Sequence, residues 1–404
     1  MWPGRFTNVT NGVTHRRWLM YANPLLSELI TDTIGSAWKS DFSQIQKLSA
    51  YAGESDVQLR FLEVKKACKT RLLRFLQREV SFRNGAGVSV PLQLSVDESF
   101  LFDVQAKRIH EYKRQLLNAL HLIMLYHEIL DGKPRVKRFS IFAGKAAASY
   151  TRAKAIIRLI NAIARKVNGD PVCNKVLGVC YVENYNVSKA EYLMPAADLS
   201  EQISTAGMEA SGTGNMKFAI NGALTIGTED GANIEMREKI GDRWWPFRFG
   251  ASSEELADLS LSRLYDPREI YRSDPAIARA VDALRDGSFA VNDEEHRLFC
   301  SLYHSLLEGE YGEGADRFFV LKDIQAYKQM QSQVEQLYVD PKVWAEFSLC
   351  NIAGMGSFSS DRSIEEYCQK IWQTEPMDLN HEFYARTRAM YEEIGLKDMG
   401  VTCP

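Results

Sequence analysis

From Ser99 to Lys239 the chain alternates short apolar runs with longer amphipathic ones, and this alternation limits the fold more than any other feature. FLFDVQ (100–105), RFSIFAG (138–144), VLGVCYVENY (176–185) and ALTIGT (223–228) read as buried strands, with a shorter one from Leu199 to Ser204. Between them, residues 116–130, 147–167, 189–194 and 232–239 read as helices. Strands alternating with helices imply βαβ units on a parallel sheet. Right-handed crossovers then give an α/β, doubly wound, mostly parallel, Rossmann-like layer structure. Ligands in such sheets sit beyond the carboxyl ends of the strands. KRIHEYKR (107–114), Glu183-Asn184-Tyr185 and EASGTGNMKFAI (209–220) all fall at or just after strand ends, which points to one site.

The flanks read as helical scaffold. Residues 24–83 carry apolar positions at helical spacing, ended by a polar turn at Asn84-Gly85-Ala86-Gly87. Residues 251–345 read as helical again, and in 356–372 Ser363 and Glu366 have the spacing of a capping box. The expected division is a helical lead-in over 1–97, the Rossmann-like core with its Gly-rich loop over 98–240, a helical and remaining α/β part over 241–372, and a tail over 373–404. Apolar residues make up 45% of the 404, enough for a sizeable core, and no apolar run reaches the ~20 residues of a membrane span. A net charge of −3 gives no reason to expect wholesale binding of nucleic acid or membrane. Seven dispersed cysteines without a CxxC pair, and an opening too polar for a signal peptide, fit reduced thiols in the cytoplasm. No His/Cys/Asp cluster has metal-ligand spacing, so no metal is expected.

Two stretches carry chemistry. In EASGTGNMKFAI, glycines permit close backbone approach to a ligand, and a helix starting there points free N–H groups at an anion. Lys217, one turn inside, could bond covalently to a carbonyl cofactor, which suggests a phosphorylated aldehyde, pyridoxal phosphate. On the loop alone, an ordinary loop with a surface lysine fits equally well. KRIHEYKR holds Lys107, Arg108, Lys113 and Arg114; cations so clustered can bind phosphate or form a solvated helix start. His110 reads as a structural hydrogen bonder or a general acid or base, and Tyr112 as a sugar contact or packing. Glu209 could accept from a polyol or cap local backbone. Asp230, in TEDGAN, reads as turn chemistry with Gly231.

Four passages together resemble the α-glucan (glycogen, starch, maltodextrin) phosphorylases: NVTNGVTHRRW (8–18), FDVQAKRIHEYKRQLLN (102–118), residues 195–235 and FSSDRSIEEY (358–367). The resemblance covers the carboxyl-terminal half of a family member. It implies the second domain of a glycosyltransferase-B architecture, with the family's amino-terminal domain absent. It implies pyridoxal 5′-phosphate on Lys217, with Lys107, Thr213 and Gly214 on the cofactor phosphate and Tyr185 beside it. Arg108 and Lys113 would bind the substrate phosphate as the catalytic cations. Asn11, Tyr112, Glu209, Ser211 and Gly212 would contact the glucosyl unit. The implied reaction is phosphorolysis of a terminal α-1,4-linked glucose of an α-glucan by inorganic phosphate, giving α-glucose 1-phosphate with retention. The cofactor phosphate would relay a proton and Lys217 would anchor the cofactor. Family members are usually homodimeric. His15 stands where proline is usual, which implies a less rigid opening loop.

Two other readings stand beside this one. The chain could be a non-catalytic truncated module that keeps the fold, and perhaps cofactor binding. It could also be a pyridoxal enzyme of amino-acid metabolism, which would need an acidic residue against the pyridine nitrogen and an arginine for a carboxylate.

Overall fold

The computed structural model describes residues 4–375, apart from 80, 84–88, 92–93 and 310–313, with residues 382, 383, 385–387 and 389 beyond them. After a short helix, Arg16–Tyr21, come α1 (Pro24–Ile34) and the 25-residue α2 (Ser55–Glu79). Strands β1 (Ser81–Arg83) and β2 (Ser89–Pro91) pair antiparallel, so the helical reading fails for the last residues before 84. The turn expected at Asn84–Gly87 lies outside the described residues, as does most of the 373–404 tail.

The core is five parallel strands: β3 (Leu101–Ala106), β4 (Arg138–Ala143), β5 (Leu177–Val182), β6 (Leu199–Gln202) and β7 (Leu224–Gly227). Their order across the sheet is β5-β4-β3-β6-β7, with Asp103 opposite Ser140 and Leu199 opposite Leu224. Every residue of these strands is buried, as in a parallel sheet covered on both faces. Side chains alternate between the faces. Phe102, Val104 and Ala106 join one apolar cluster with α2, while Leu101 joins the other.

Helices α3 (Gln115–Leu130), α4 (Thr151–Gly169), α5 (Val187–Ala196), α6 (Gly214–Ala219) and α7 (Ala232–Ile240) alternate with the strands. The helix expected from Ala147 begins at Thr151, because residues 144–150 first carry the chain off the sheet edge. Then follow α8 (Ser253–Ser262), α9 (Pro267–Ser273), α10 (Pro275–Asp282), α11 (Asp293–Leu307), α12 (Val320–Tyr338), α13 (Pro341–Ala353) and α14 (Ser360–Tyr367). Among the described residues, no helix is long and apolar enough to cross a membrane.

The capping box expected at Ser363 and Glu366 is not there. The cap of α14 is Ser359, which accepts from Arg362 N, while Ser363 lies inside the helix and donates to Thr10 O at 2.9 Å. A reciprocal capping box does form at Ser252 and Glu255, opening α8.

The chain runs outward from β3 through β4 to β5, then returns to the other side of β3 for β6 and β7. Strand order therefore reverses between β3 and β6. That switch point is where an open α/β sheet leaves a crevice at its carboxyl edge.

Candidate active site

The loops that follow β3 and β6 meet at this crevice. Lys107 to His110 leave β3 in extended form, and the Lys107 amide still bonds Ala143 O at 2.9 Å. His110 Nδ1 accepts from the Tyr112 amide, and its ring packs 4.7 Å from Tyr112 and 4.9 Å from Tyr150. Burial holds its pKa below the usual histidine value, so the structural role accounts for it.

The four cations of KRIHEYKR separate. Arg114 turns inward at φ 56° and is fully buried. It donates to Asp323 at 2.6 Å, Ile203 O at 2.8 Å, Ser204 O at 3.1 Å and Phe319 O at 3.2 Å. Arg114 is thus a bolt between the Gly-rich loop and α12, not a phosphate ligand. Arg108 is exposed and makes no ion pair among the described residues. Lys107 and Lys113 converge on Glu209: Lys113 Nζ bonds its Oε2, and Lys107 Nζ stands 3.6 Å from the same oxygen. Lys113 Nζ also lies 4.6 Å above the Tyr112 ring. Burial pushes the Lys107 ammonium down to about 8, although Glu209 opposes the shift. Burial would raise the Glu209 carboxyl, but the two lysines more than offset this and hold it below the usual range. Two cations thus share one carboxylate, with the Asp230 carboxylate near enough to act on Lys107 as well.

Asp230 fixes the Gly-rich loop. Only 4% exposed, it accepts from Ser204 Oγ at 2.6 Å, Glu209 N at 2.9 Å and Gly207 N at 3.0 Å. The turn reading of Asp230 understates it, because the carboxylate organises a loop some 20 residues upstream. Gly231, at φ 52°, lies against Ser211 O and Glu209 O, leaving no room for a Cβ. Asn233 on α7 donates to Gln202 O and Thr228 O and accepts from Asn215 of α6, tying the ends of β6 and β7 to the loop.

The opening segment arrives from outside. Asn11 Nδ2 donates to Ser211 Oγ at 2.9 Å across 200 residues of sequence. Val13 and Ser360 exchange backbone bonds with the opposite segment, and Arg362 donates to Thr10 O. Gly12 sits on Ser359 without space for a side chain. FSSDRSIEEY therefore braces the Asn11 loop. His15 is buried, stacked 4.6 Å from Phe42, with Nε2 2.8 Å from Lys39 O. Its ring thereby ties the opening segment to Phe42 and Lys39.

Lys217 lies on α6, its Nζ 4.4 Å over the Trp18 ring. Burial lowers its pKa, and its amine has no carboxylate partner among the described residues. Thr213 caps α6 by backbone only, its side chain making no cap bond. Gly212 takes φ 78°. Tyr185 packs against the core at the end of β5, its hydroxyl pushed up to about 12 by burial. The structure thus joins Lys107, Lys113, Tyr112 and Glu209 in one cluster, and Asn11 with Ser211 in a second. It links neither Arg108 nor Tyr185 to them directly. Trp18, Asp230 and Asn233 were not singled out from sequence as binding groups. Only the apposition of distant segments places them at the crevice.

These residues fit a phosphorylated aldehyde. An uncharged lysine amine is within reach because burial lowers the Lys217 pKa, Thr213 makes no side-chain cap bond to the first turn of α6, where Asn215 Oδ1 takes the Met216 amide alone, and two lysines share one carboxylate. Two clefts, of about 630 Å³ beside Lys65, Lys69 and Tyr338 and about 610 Å³ beside Arg71 and Tyr192, lie apart from the site. The site's groups are assembled on the open sheet edge instead.

The carbohydrate phosphorylase family model matches residues 1–374. The chain is 46% identical over 380 residues to human liver glycogen phosphorylase, covering 93% of this chain and 42% of that protein. It is 44% identical over 387 residues to glycogen phosphorylase of Synechocystis, covering 95% and 43%. With that of Haemophilus influenzae it is 43% identical over 385 residues, covering 94% and 44%. The chain spans less than half the length of these curated relatives.

Proposed function

The chain belongs to the carbohydrate phosphorylase family, and we propose that it is the cofactor-bearing part of an enzyme that phosphorolyses terminal α-1,4-linked glucose of an α-glucan. Inorganic phosphate is the co-substrate, and α-glucose 1-phosphate forms with retention. The observation that carries this reading is the pairing of Lys107 and Lys113 on Glu209, at the strand-order reversal beside the Lys217 loop.

In this reading Lys217 holds pyridoxal phosphate covalently, and Lys107 with the Thr213–Gly214 backbone holds its phosphate. When bound, the cofactor supplies a phosphate that can relay a proton to the substrate phosphate. Lys113 and Arg108 bind inorganic phosphate and offset its repulsion from a neighbouring anion. Arg108 is exposed beside the cluster, two residues before His110. Glu209, Asn11, Ser211 and Gly212 orient the sugar through its hydroxyls, and Tyr112 packs beside them. Tyr185 closes the site on the β5 side.

Borohydride reduction of the chain with pyridoxal phosphate, followed by peptide mass mapping, tests this. A pyridoxyl group on Lys217 is expected; none with excess cofactor would favour a module that keeps the fold without the chemistry. The 404 residues alone should bind cofactor weakly and turn over little or nothing, and robust phosphorolysis by them would refute that part.

A further inference from the structure

We propose that Asn221 is the positioning residue of Lys217, fixing both the backbone that carries this lysine and the Trp18 indole beneath its amine. The proposal deepens the reading above and rests on it for the identity of the carbonyl ligand.

At the end of α6 the main chain tightens. The Asn221 amide bonds Phe218 O at 3.1 Å, so the Lys217 carbonyl lacks the amide four residues on that would continue a helix. The Asn221 carboxamide takes that place, donating from Nδ2 to Lys217 O at 2.9 Å. The same nitrogen donates to Trp18 O at 2.7 Å. Its oxygen accepts from Asn23 Nδ2 at 3.1 Å, and Asn23 caps α1 by accepting from Leu26 N. Two carbonyl partners fix which way this amide points, since only NH₂ can face both.

Asn221 is fully buried and Trp18 is 7% exposed, so water cannot replace these bonds. Lys65, on α2, adds a third tie: its fully desolvated ammonium reaches Pro195 O at 3.0 Å, Asn221 O at 3.4 Å and also Ala197 O. One frame thus meets Lys217 at its main-chain carbonyl and at its side-chain amine. Its carbonyl is bonded to Asn221, and its amine lies 4.4 Å from the ring of the residue that Asn221 also holds. No residue of this frame other than Lys217 is needed to touch a ligand. Burial alone lowers the Lys217 pKa, and keeping the amine over the indole maintains that burial.

The test uses the full chain and two aldehyde probes with borohydride. Formaldehyde reports the titration midpoint of each lysine by peptide mapping across pH. Pyridoxal phosphate reports capture by Lys217. In the wild type the Lys217 midpoint should lie below those of surface lysines. Asn221→Leu should move it up to join them and cut pyridoxyl capture at least about fivefold, the effect of losing one hydrogen bond of ordinary net strength. Asn221→Ser, which keeps one bond to the carbonyl four residues back, should fall between and covers the case in which the leucine variant does not fold.

Asn351→Leu is the control: this buried residue donates to Ala223 O just after α6 and makes no hydrogen bond to Lys217 or Trp18 among the described residues. It should lower stability and leave the midpoint in place. A Lys217 midpoint unchanged in a folded Asn221 variant, or already equal to surface lysines in the wild type, overturns the proposal. Absence of pyridoxyl capture by the wild type overturns the cofactor reading instead, while the formaldehyde arm still decides Asn221.

Discussion

Replacing Asp230 by asparagine keeps its shape and exchanges one acceptor oxygen for a donor. Oδ2 serves two partners, Ser204 Oγ and Glu209 N, and Oδ1 serves Gly207 N alone. The variant does best with its oxygen toward Glu209, which sets its NH₂ against the Gly207 amide. An unsatisfied buried donor costs about 1–3 kcal/mol. Gly207 lies at the surface, where water can take over, so the lower end of that range applies. About 1 kcal/mol corresponds to roughly fivefold easier opening. Residue-resolved hydrogen exchange should show the Gly207 amide exchanging about fivefold faster in Asp230→Asn, with Glu209 little changed. Asp230→Ala removes all three bonds and should release the Glu209 amide too, by a larger factor because that amide is less exposed. Exchange equal to the wild type across 203–212 in the alanine variant would refute the assignment of Asp230 as the organiser of this loop. Release of Glu209 before Gly207 in the asparagine variant would refute the orientation.

Two further outcomes follow from buried charges. Burial pushes Lys107 down to about 8, and a bound anion favours its charged form, so affinity for the phosphate group of pyridoxine 5′-phosphate, which lacks the aldehyde, should fall above that value by at most about tenfold per pH unit. Lys107→Arg keeps the charge and should flatten the profile in calorimetric titrations from pH 7 to 9.5; parallel profiles for the two proteins would sink this account. At the sheet centre, Glu201 accepts from Tyr327 at 2.9 Å and Gln331 at 2.7 Å and is felt electrostatically by Asp103, itself paired with Arg138 at 2.7 Å. Burial first, then Asp103, raises the Glu201 pKa well above the usual value. The folded state therefore binds the extra proton, and stability is present at low pH and lost as pH rises through the folded value. Glu201→Gln mimics the protonated form, so its denaturant midpoint should match the wild type near pH 5 and exceed it at alkaline pH; a midpoint lower at every pH would contradict a protonated Glu201.

The sheet was legible because burial on two faces leaves a direct trace. Strands β3, β4 and β5 are mostly apolar, and each starts within about one residue of where the sequence puts it, the third ending at Val182 rather than at 185. Strand β6 is different. Its LSEQ is polar yet fully buried, and what satisfies Glu201 is α12, more than 120 residues later. No local pattern encodes such a partner. The same limit explains the capping box, since SxxE occurs at both Ser252 and Ser363. Ser363 is diverted by its bond to Thr10, 353 residues away. In KRIHEYKR the charges were plain but their directions were not. A left-handed residue at Arg114 sends that side chain into the core while Lys107 and Lys113 turn to Glu209.

The two ends of the described chain give the site its remaining wall, and this constrains how the site can form. Asn11 reaches Ser211 only because residues 8–13 lie against 358–363, with Arg16 paired to Asp361 through both guanidinium nitrogens at 2.6 and 2.8 Å. That ion pair is partly exposed and on its own contributes about 1 kcal/mol or less. The buried parts of the clasp are backbone bonds from Val13 to Phe358 and from Ser360 to Val13, together with the Thr10 carbonyl shared by Arg362 and Ser363. The clasp is therefore held mainly by groups whose alternatives are unpaired buried carbonyls and amides. The Gly-rich loop needs no such closure, because Asp230 and Gly231 lie within about 25 residues of it. The Lys107–Lys113–Glu209 cluster can thus be complete once β3, β6 and β7 have paired. The Asn11 wall waits for the chain to return more than 340 residues later.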